Sequence, residues 1–392
     1  MAKSTILIVG GGIGGMATAL ALAKKKIAST VLEQAPKFRE TGAGIQLCPN
    51  VFKMFDYLGI TESIKKIAVF PENLIYLDGI TGQKFLNISL GQELLLRFLH
   101  PYGVFHREEL LHALIAECQK SPLITLISDA KATKIQEEQK IVHVETEKGA
   151  SYSAEAVIGC DGLWSIVRQH IVGKEGPCFS GHIAHRGVVA INSVPERLRP
   201  NSVVHWVRDG SHLVHYPISS QGLFNIIAIY QTQKVHEDLE DIAGDPQELN
   251  ARFRGSQPEI LELLSRIDTS RKWQLFDRDP VSNWSTKRLT LVGDSAHPTL
   301  PYLTQGAGMA IEDAVVLAEK LVHYKMDYQV AFRAYQEERY LRTAYVQLFS
   351  RMYGKSHHSS GVARELRDHL IASRTADENY KWLSTMYRGI EL

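Results

Sequence analysis

Three glycine-bearing segments, far apart in the chain, combine the backbone freedom and the carboxylates suited to holding a phosphorylated cofactor. They are Gly10-Gly11-Gly12-Ile13-Gly14-Gly15, Gly159-Cys160-Asp161-Gly162 and Gly293-Asp294-Ser295-Ala296-His297-Pro298. In the first, Gly10, Gly12 and Gly15 stand at the G-x-G-x-x-G positions of a dinucleotide fingerprint. The context is the required one. An apolar run, Ile6-Leu7-Ile8-Val9, precedes it; a helical stretch from Met16 to Lys26 follows; then comes a strand ending in the acid Glu33. Gly10 permits a tight turn, Gly12 lets backbone approach a pyrophosphate, and Gly15 lets helix and strand pack closely. The helix N-terminus offers free N–H groups to phosphate, and Glu33 is placed to accept hydrogen bonds from ribose hydroxyls. The fingerprint alone does not separate NAD from FAD.

A second constellation is the segment Ser211-His212-Leu213-Val214-His215-Tyr216-Pro217. On a strand, alternate residues share a face. His212, Val214 and Tyr216 therefore fall together, with Leu213 and His215 opposite. An imidazole has an ordinary pKa of about 6.5, suited to taking a proton near neutrality. This makes His212 a candidate base and Tyr216 a candidate orienting group. His185 and Arg186 are candidates for pairing an anionic ligand group. His215 and His297 read as structural, and His357 and His358 as solvated.

The elements that must position these groups follow from the pattern. Residues 1 to about 70 read as βαβ plus helix, and residues 37–50 as a loop. Residues 74–90 read as a hairpin, and His106 to Lys120 as a helix. Residues 182–233 are β-rich, residues 245–267 helical, and residues 310–324 and 327–352 helical again. A discontinuous dinucleotide domain is expected over residues 1–70, 100–178 and 280–326. A β-rich substrate domain would span 71–99 and 179–279, and a helical segment 327–392.

Composition narrows the partners. The 392 residues are 44% hydrophobic and 22% charged, with a net charge of +1. That is an ordinary globular balance, and it argues against nucleic acid and anionic membrane as partners. No apolar run approaches the ~20 residues that span a bilayer. The chain enters a strand almost at once, so no signal peptide is expected. Cys48, Cys118, Cys160 and Cys178 are scattered without metal spacing, so no metal site is expected. A cytoplasmic location is the simplest expectation.

Together with Arg107, the three glycine segments resemble the single-component FAD aromatic hydroxylases, the group A flavoprotein monooxygenases. Gly42-Ala43-Gly44-Ile45-Gln46 with Pro49-Asn50 is similar to the flavin-side loop of the salicylate, 3-hydroxybenzoate and 6-hydroxynicotinate hydroxylases. Asp277-Arg278-Asp279-Pro280 before Trp284, Tyr302-Leu303 before Met309-Ala310, and Tyr380-Lys381-Trp382-Leu383 are similar to the 3-hydroxybenzoate 6-hydroxylases.

The resemblance implies an α/β fold. A Rossmann-like FAD-binding domain of the p-hydroxybenzoate hydroxylase type would carry an inserted β-sheet substrate domain and C-terminal helices. It implies FAD as cofactor, NADH or NADPH as donor, a small phenolic acid and O2 as reactants, and a homodimer. Gly10, Gly12, Gly14 and Gly15, with Glu33 and Gln34, would hold the ADP half. Asp161 would lie near the pyrophosphate, Asp294 at the ribityl chain, and Gly44, Arg107, Gly306, Ala307 and Gly308 around the flavin. His212 and Tyr216 would be catalytic, and Gln46 and Arg186 would contact substrate.

One departure bears on specificity. The 3-hydroxybenzoate 6-hydroxylases carry glutamine where this chain has Pro301, and Leu300-Pro301-Tyr302 looks more like the salicylate hydroxylases. The ring position attacked, and decarboxylative against simple hydroxylation, stay open. A flavin oxidase or dehydrogenase, and an FAD protein that only binds an aromatic, are the alternatives.

Overall fold

The computed structural model describes residues 4–38, 43–219, 221–234 and 242–391. Gly42, in the expected flavin-side loop, lies outside them.

The first sheet begins as the fingerprint requires. Strand Ser4–Val9 pairs in parallel with Ser29–Leu32 on one side and with Ser151–Gly159 on the other. Ile124–Ile127 extends the sheet beyond Ser29–Leu32, and Leu289–Leu291 pairs in parallel with Ser151–Gly159. An antiparallel pair, Ala132–Glu137 and Val142–Thr146, completes its edge. Ile6, Leu7, Ile8, Val157 and Ile158 are almost wholly buried, as parallel strands covered on both faces must be. All three glycine segments begin at the C-terminal ends of these strands, where open α/β sheets place their ligands.

The second sheet is mostly antiparallel. From one edge its strands run Ile242–Ala243, Arg271–Asp277, Cys178–Ala190, Leu223–Gln231, Ser211–Ser219, Ser202–Arg208, Asn73–Asp78 and Lys84–Ser89. The hairpin expected at residues 74–90 forms its far edge. The parallel pairing of Ser202–Arg208 with Asn73–Asp78 stitches the early hairpin to the later insertion.

Two expectations are corrected. Residues 37–50 are not all loop: Gly44–Leu47 is a strand paired antiparallel with Gly103–His106, and a helix starts at Pro49. The stretch 245–267 is two helices, Pro246–Arg252 and Pro258–Leu264. Gly255 at φ +77° and Pro258 at the next helix's first position break it.

Helices Gly306–His323 and Tyr328–His357 follow, then Gly361–Ala372 and Ala376–Tyr387. Among the described residues, no helix is long and apolar enough to cross a membrane.

Candidate active site

A cleft of about 460 Å³ is lined from both sheets. On the first-sheet side it meets Gly12, Gly14, Asp294, Gly306 and Ala307; on the second, Arg186, Tyr216 and Ile227, with Gln46 and Arg107 between. Residues up to about 300 positions apart are thus brought to one space.

The glycines differ in their work. Gly10 has φ +107°, and a Cβ there would meet the Cys160 carbonyl oxygen at 2.2 Å. A Cβ on Gly15 would meet the Gly10 carbonyl oxygen at 2.0 Å. Both serve close backbone packing, and neither lines the cleft, whereas Gly12 and Gly14 do. Gly308 is a packing position too, since a Cβ on it would meet Val51 at 2.9 Å.

Helix Ile13–Lys24 begins behind Gly12 and helix Gly306–His323 behind Gln305, neither with a side-chain cap. Their first N–H groups therefore remain for an anion or an electron-rich ring edge. Asp294 is exposed and lines the cleft between them. Small residues on the walls, a carboxylate for hydroxyls and two uncapped helix N-termini fit an FAD.

Glu33 and Asp161 also hold their own loops in place. Glu33 accepts from Gly11 N at 2.7 Å and from Ala35 N at 2.8 Å, so its carboxylate fixes the glycine turn. Gln34 is exposed beside it, outside the cleft lining. Asp161 caps helix Ile166–Ile171: it binds Ser165 Oγ at 2.5 Å and accepts from Ile166 N at 2.8 Å. Its neighbours Cys160 and Gly162 line the cleft instead.

The substrate side is a small polar cluster on an apolar wall. The Tyr102 hydroxyl donates to Gln46 Oε1. Burial pushes the Tyr216 hydroxyl up to about 12, against a hydrogen bond from Gln46 and the positive charge of Arg186. Burial, and then the like charge of Arg107, pull Arg186 down to about 10, which leaves it a cation at neutral pH. Its Nε is buried without a hydrogen-bond partner, and its guanidinium lies 5.5 Å from the Trp273 ring centroid.

Asn225 was missed by the sequence reading. Its Oδ1 accepts from Gly44 N at 2.9 Å, and a Cβ on Gly44 would collide with both Asn225 and Tyr216. The signal was there: an asparagine inside the apolar strand Leu223–Gln231, fully buried. Close approach by Tyr216 and Asn225 is why Gly44 has no side chain.

His212 shares the face of Tyr216 and Val214 as expected, but it is not among the described residues lining the cleft. Its Nδ1 lies 2.7 Å from His358 Nε2, and it is 2% exposed. Burial first, and then His358, His357, His205 and His182, hold it well below an imidazole's ordinary value. His357 and His358 are not solvated: each is 4% exposed, packed where helix Tyr328–His357 ends over the sheet. Their position after a long amphipathic helix looks terminal in sequence, yet the helix returns them to the sheet.

His185 lies on the opposite side of its strand from Arg186, its ring 5.9 Å from Tyr230. His215 accepts from the Trp206 indole at 3.2 Å. His297 Nε2 lies 2.6 Å from Asp313 Oδ2. Asp313 also accepts from Gly293 N at 3.0 Å and from Arg339 Nε at 2.7 Å. Burial alone would raise Asp313, but His297 and Arg339 outweigh it and bring the carboxyl down to about 2. This buried network anchors the loop that presents Asp294. Among the described residues, no cluster of His, Cys, Asp and Glu is arranged to hold a metal.

A parallel sheet whose glycine turns, carboxylate and helix N-termini face a cation-lined platform defines a flavin-binding oxidoreductase. The family model described as FAD binding domain matches residues 3–348, and the chain belongs to that family. It is similar to the 3-hydroxybenzoate 6-hydroxylase of Polaromonas naphthalenivorans, 37% identical over 97% of this chain and 95% of that one. It is also similar to the 3-hydroxybenzoate 6-hydroxylase of Klebsiella oxytoca, 37% identical over 97% and 96%. The fold matches Klebsiella pneumoniae HpxO, solved with FAD and uric acid, at a TM-score of 0.87 and 24% identity, covering 98% of this chain and 97% of that one. The protein is an FAD-dependent aromatic-ring monooxygenase with NAD(P)H as electron donor.

Proposed function

We propose that the cleft hydroxylates a small phenolic acid of the 3-hydroxybenzoate or salicylate type, with NADH as the donor. The observation that carries this reading is Arg186. A half-buried guanidinium whose Nε is buried without a partner, beside a second cation, Arg107, is costly unless an anion completes it. A benzoate carboxylate is such an anion, and its planar fork matches a guanidinium. The relatives named 3-hydroxybenzoate 6-hydroxylases support the same substrate class.

With the carboxylate at Arg186, the ring lies over Ile227, Arg186's direct partner across the sheet. Tyr216 and Gln46 flank it as hydrogen-bonding groups that orient the ring. His212 sits one cross-strand row deeper on the same face, opposite Ile229. Two residues along a strand span about 7 Å, so His212 is the next residue on this face beyond Val214. His212 is therefore assigned the phenolic proton, since a phenolate is the stronger nucleophile. Leu275 and Leu300 exclude water from this side. FAD, reduced by the nicotinamide donor, supplies the activated oxygen. Pro301 lines the cleft without a side-chain donor, so the ring carbon attacked follows from the carboxylate and hydroxyl anchors alone.

The test is Arg186→Ala with two ligands, 3-hydroxybenzoate and 3-hydroxybenzamide. Loss of a desolvated charge pair costs about 2–5 kcal/mol, so KM for the acid should rise about a hundredfold. KM for the amide should move far less. An equal change for both would sink the assignment.

A further inference from the structure

Strand Gly44–Leu47 has one strand partner, Gly103–His106, in a two-stranded ribbon. Alternate N–H groups of such an edge strand point away from the partner and need another acceptor. A side chain of the second sheet supplies it at Gly44, whose N–H donates to Asn225 Oδ1 at 2.9 Å. Two residues along, on the same face of the strand, Gln46 hydrogen-bonds the Tyr216 hydroxyl. Tyr216 and Asn225 are themselves direct partners across the second sheet. One row of that sheet therefore grips two alternate residues of the ribbon.

The grip leaves no spare room. A Cβ on Gly44 would stand 2.6 Å from Asn225 Cγ, 2.7 Å from the Tyr216 hydroxyl and 2.8 Å from Asn225 Nδ2. Asn225 is wholly buried in the apolar strand Leu223–Gln231, and among the described residues its Nδ2 has no hydrogen-bond partner. A leucine of similar size would leave no buried donor unpaired, so packing alone does not account for an asparagine here. The bond to Gly44 does. An N–H needs an acceptor, and the amide must turn its oxygen to it even though its own donor is then left over.

What Asn225 holds is a wall of the cleft. Four consecutive residues, Ala43 to Gln46, line it, together with Gly12 and Gly14 of the first sheet's glycine turn and Arg186, Tyr216 and Ile227 of the second sheet. From the ribbon's other strand, Arg107 N donates to the Ala43 carbonyl at 2.9 Å, and the Tyr102 hydroxyl donates to Gln46. The wall is thus fixed from two sides, and the Asn225 bond ties it to the sheet that carries Arg186. We propose that Asn225 is a positioning residue for the monooxygenase reaction. Through the Gly44 N–H it sets how far the Ala43–Gln46 wall stands from the substrate platform, and so the separation of flavin and aromatic ring in the shared cleft. The inference rests on the substrate class proposed above.

Position matters more than affinity here. Oxygen transfer needs the reacting atoms within about 3–3.5 Å, and a misplacement of about 1 Å lowers such a rate up to about a hundredfold. The acid is held by Arg186, which Asn225 does not touch. Loss of the Gly44 bond should therefore leave binding of the acid nearly intact and divert reduced oxygen from product to peroxide. Asn225→Leu fills a similar volume and removes the acceptor. Asn225→Asp keeps an oxygen in the same place, whether ionised or protonated, and should restore the wall.

The experiment compares the wild type with these two variants in three ways. In the FAD-free protein, amide exchange over residues 44–47 should be about fivefold faster in Asn225→Leu, one hydrogen bond's worth, and near wild type in Asn225→Asp. In the FAD-loaded protein with no acid added, the visible circular dichroism of the flavin should change in Asn225→Leu and return in Asn225→Asp. In turnover with NADH and 3-hydroxybenzoate, Asn225→Leu should lower kcat for product about tenfold with KM changed less than about threefold, and peroxide should account for the difference. Gly44→Ala, which forces both partners away from the ribbon, carries the same test if Asn225→Leu does not fold. Faster exchange with a wild-type flavin spectrum and product-to-peroxide ratio would leave the bond purely structural and overturn the inference, as would an Asn225→Asp protein as uncoupled as Asn225→Leu. If the wild type itself makes no product from the acid, the proposed substrate class fails, and the exchange and flavin spectra still decide whether Asn225 sets the wall.

Discussion

The cleft and the histidine cluster behind it share one strand face, yet they are opposite environments. Tyr216 and His212, four residues apart on strand Ser211–Ser219, mark the two. The Tyr216 end is open and electropositive, with Arg186 and Arg107 facing a space. The His212 end is closed, and its histidines are kept neutral by burial. Side-chain type alone therefore does not assign a role. The cleft binds through fixed charge, whereas the histidines behind it are held uncharged by burial and by one another.

The largest effect is expected at Arg186. Arg186→Ala should lower kcat/KM for the acid about a hundredfold, yet leave the response of thermal stability to acid as in the wild type. If the variant also altered the acid response, the two regions would be one coupled unit.

Acid is the complementary probe. The buried histidines have depressed values, about 4 for His182 and His357 and about 2 for His358, against an ordinary 6.5. Between those values and 6.5, the unfolded chain binds protons that the folded chain refuses. Stability is therefore full above pH 6.5 and falls as the pH drops, by up to about 1.4 kcal/mol per pH unit for each histidine. Melting temperatures from pH 7 to 4.5 should fall steeply, and His358→Gln should flatten the fall. A flat wild-type profile would contradict a neutral buried cluster.

The smallest effect is expected at Tyr216. Tyr216→Phe removes one orienting hydrogen bond of about 0.5–1.5 kcal/mol, so kcat/KM should drop about tenfold or less. Proton release on substrate binding should persist, because His212 and not this hydroxyl is the proposed base. Loss of proton release would move the base assignment from His212 to Tyr216.

Much of this was legible in the sequence, because the cofactor side is built from local signals. A strand, a glycine turn and a helix are contiguous, so Gly12 and Gly14 could be placed without knowing the fold. Alternation along a strand likewise placed His212, Val214 and Tyr216 on one face. What escaped depends on long-range return of the chain. Glu33 and Asp161 also accept from backbone N–H groups, which only the loop geometry decides. His357 and His358 read as solvated because nothing local shows that a 30-residue helix delivers them onto the sheet. Asn225 was readable as an isolated polar residue in an apolar strand, and that signal merited more weight.

The proposed activity is the coupling of a flavin to the hydroxylation of a phenolic acid in the cleft. Its most direct test is NADH oxidation by the FAD-loaded protein in the presence of 3-hydroxybenzoate and, separately, salicylate, with hydroxylated product and hydrogen peroxide quantified together. Strong stimulation by one of these acids is expected, with product matching the NADH consumed and little peroxide. Stimulation that yields only peroxide, or none with either acid, would contradict it.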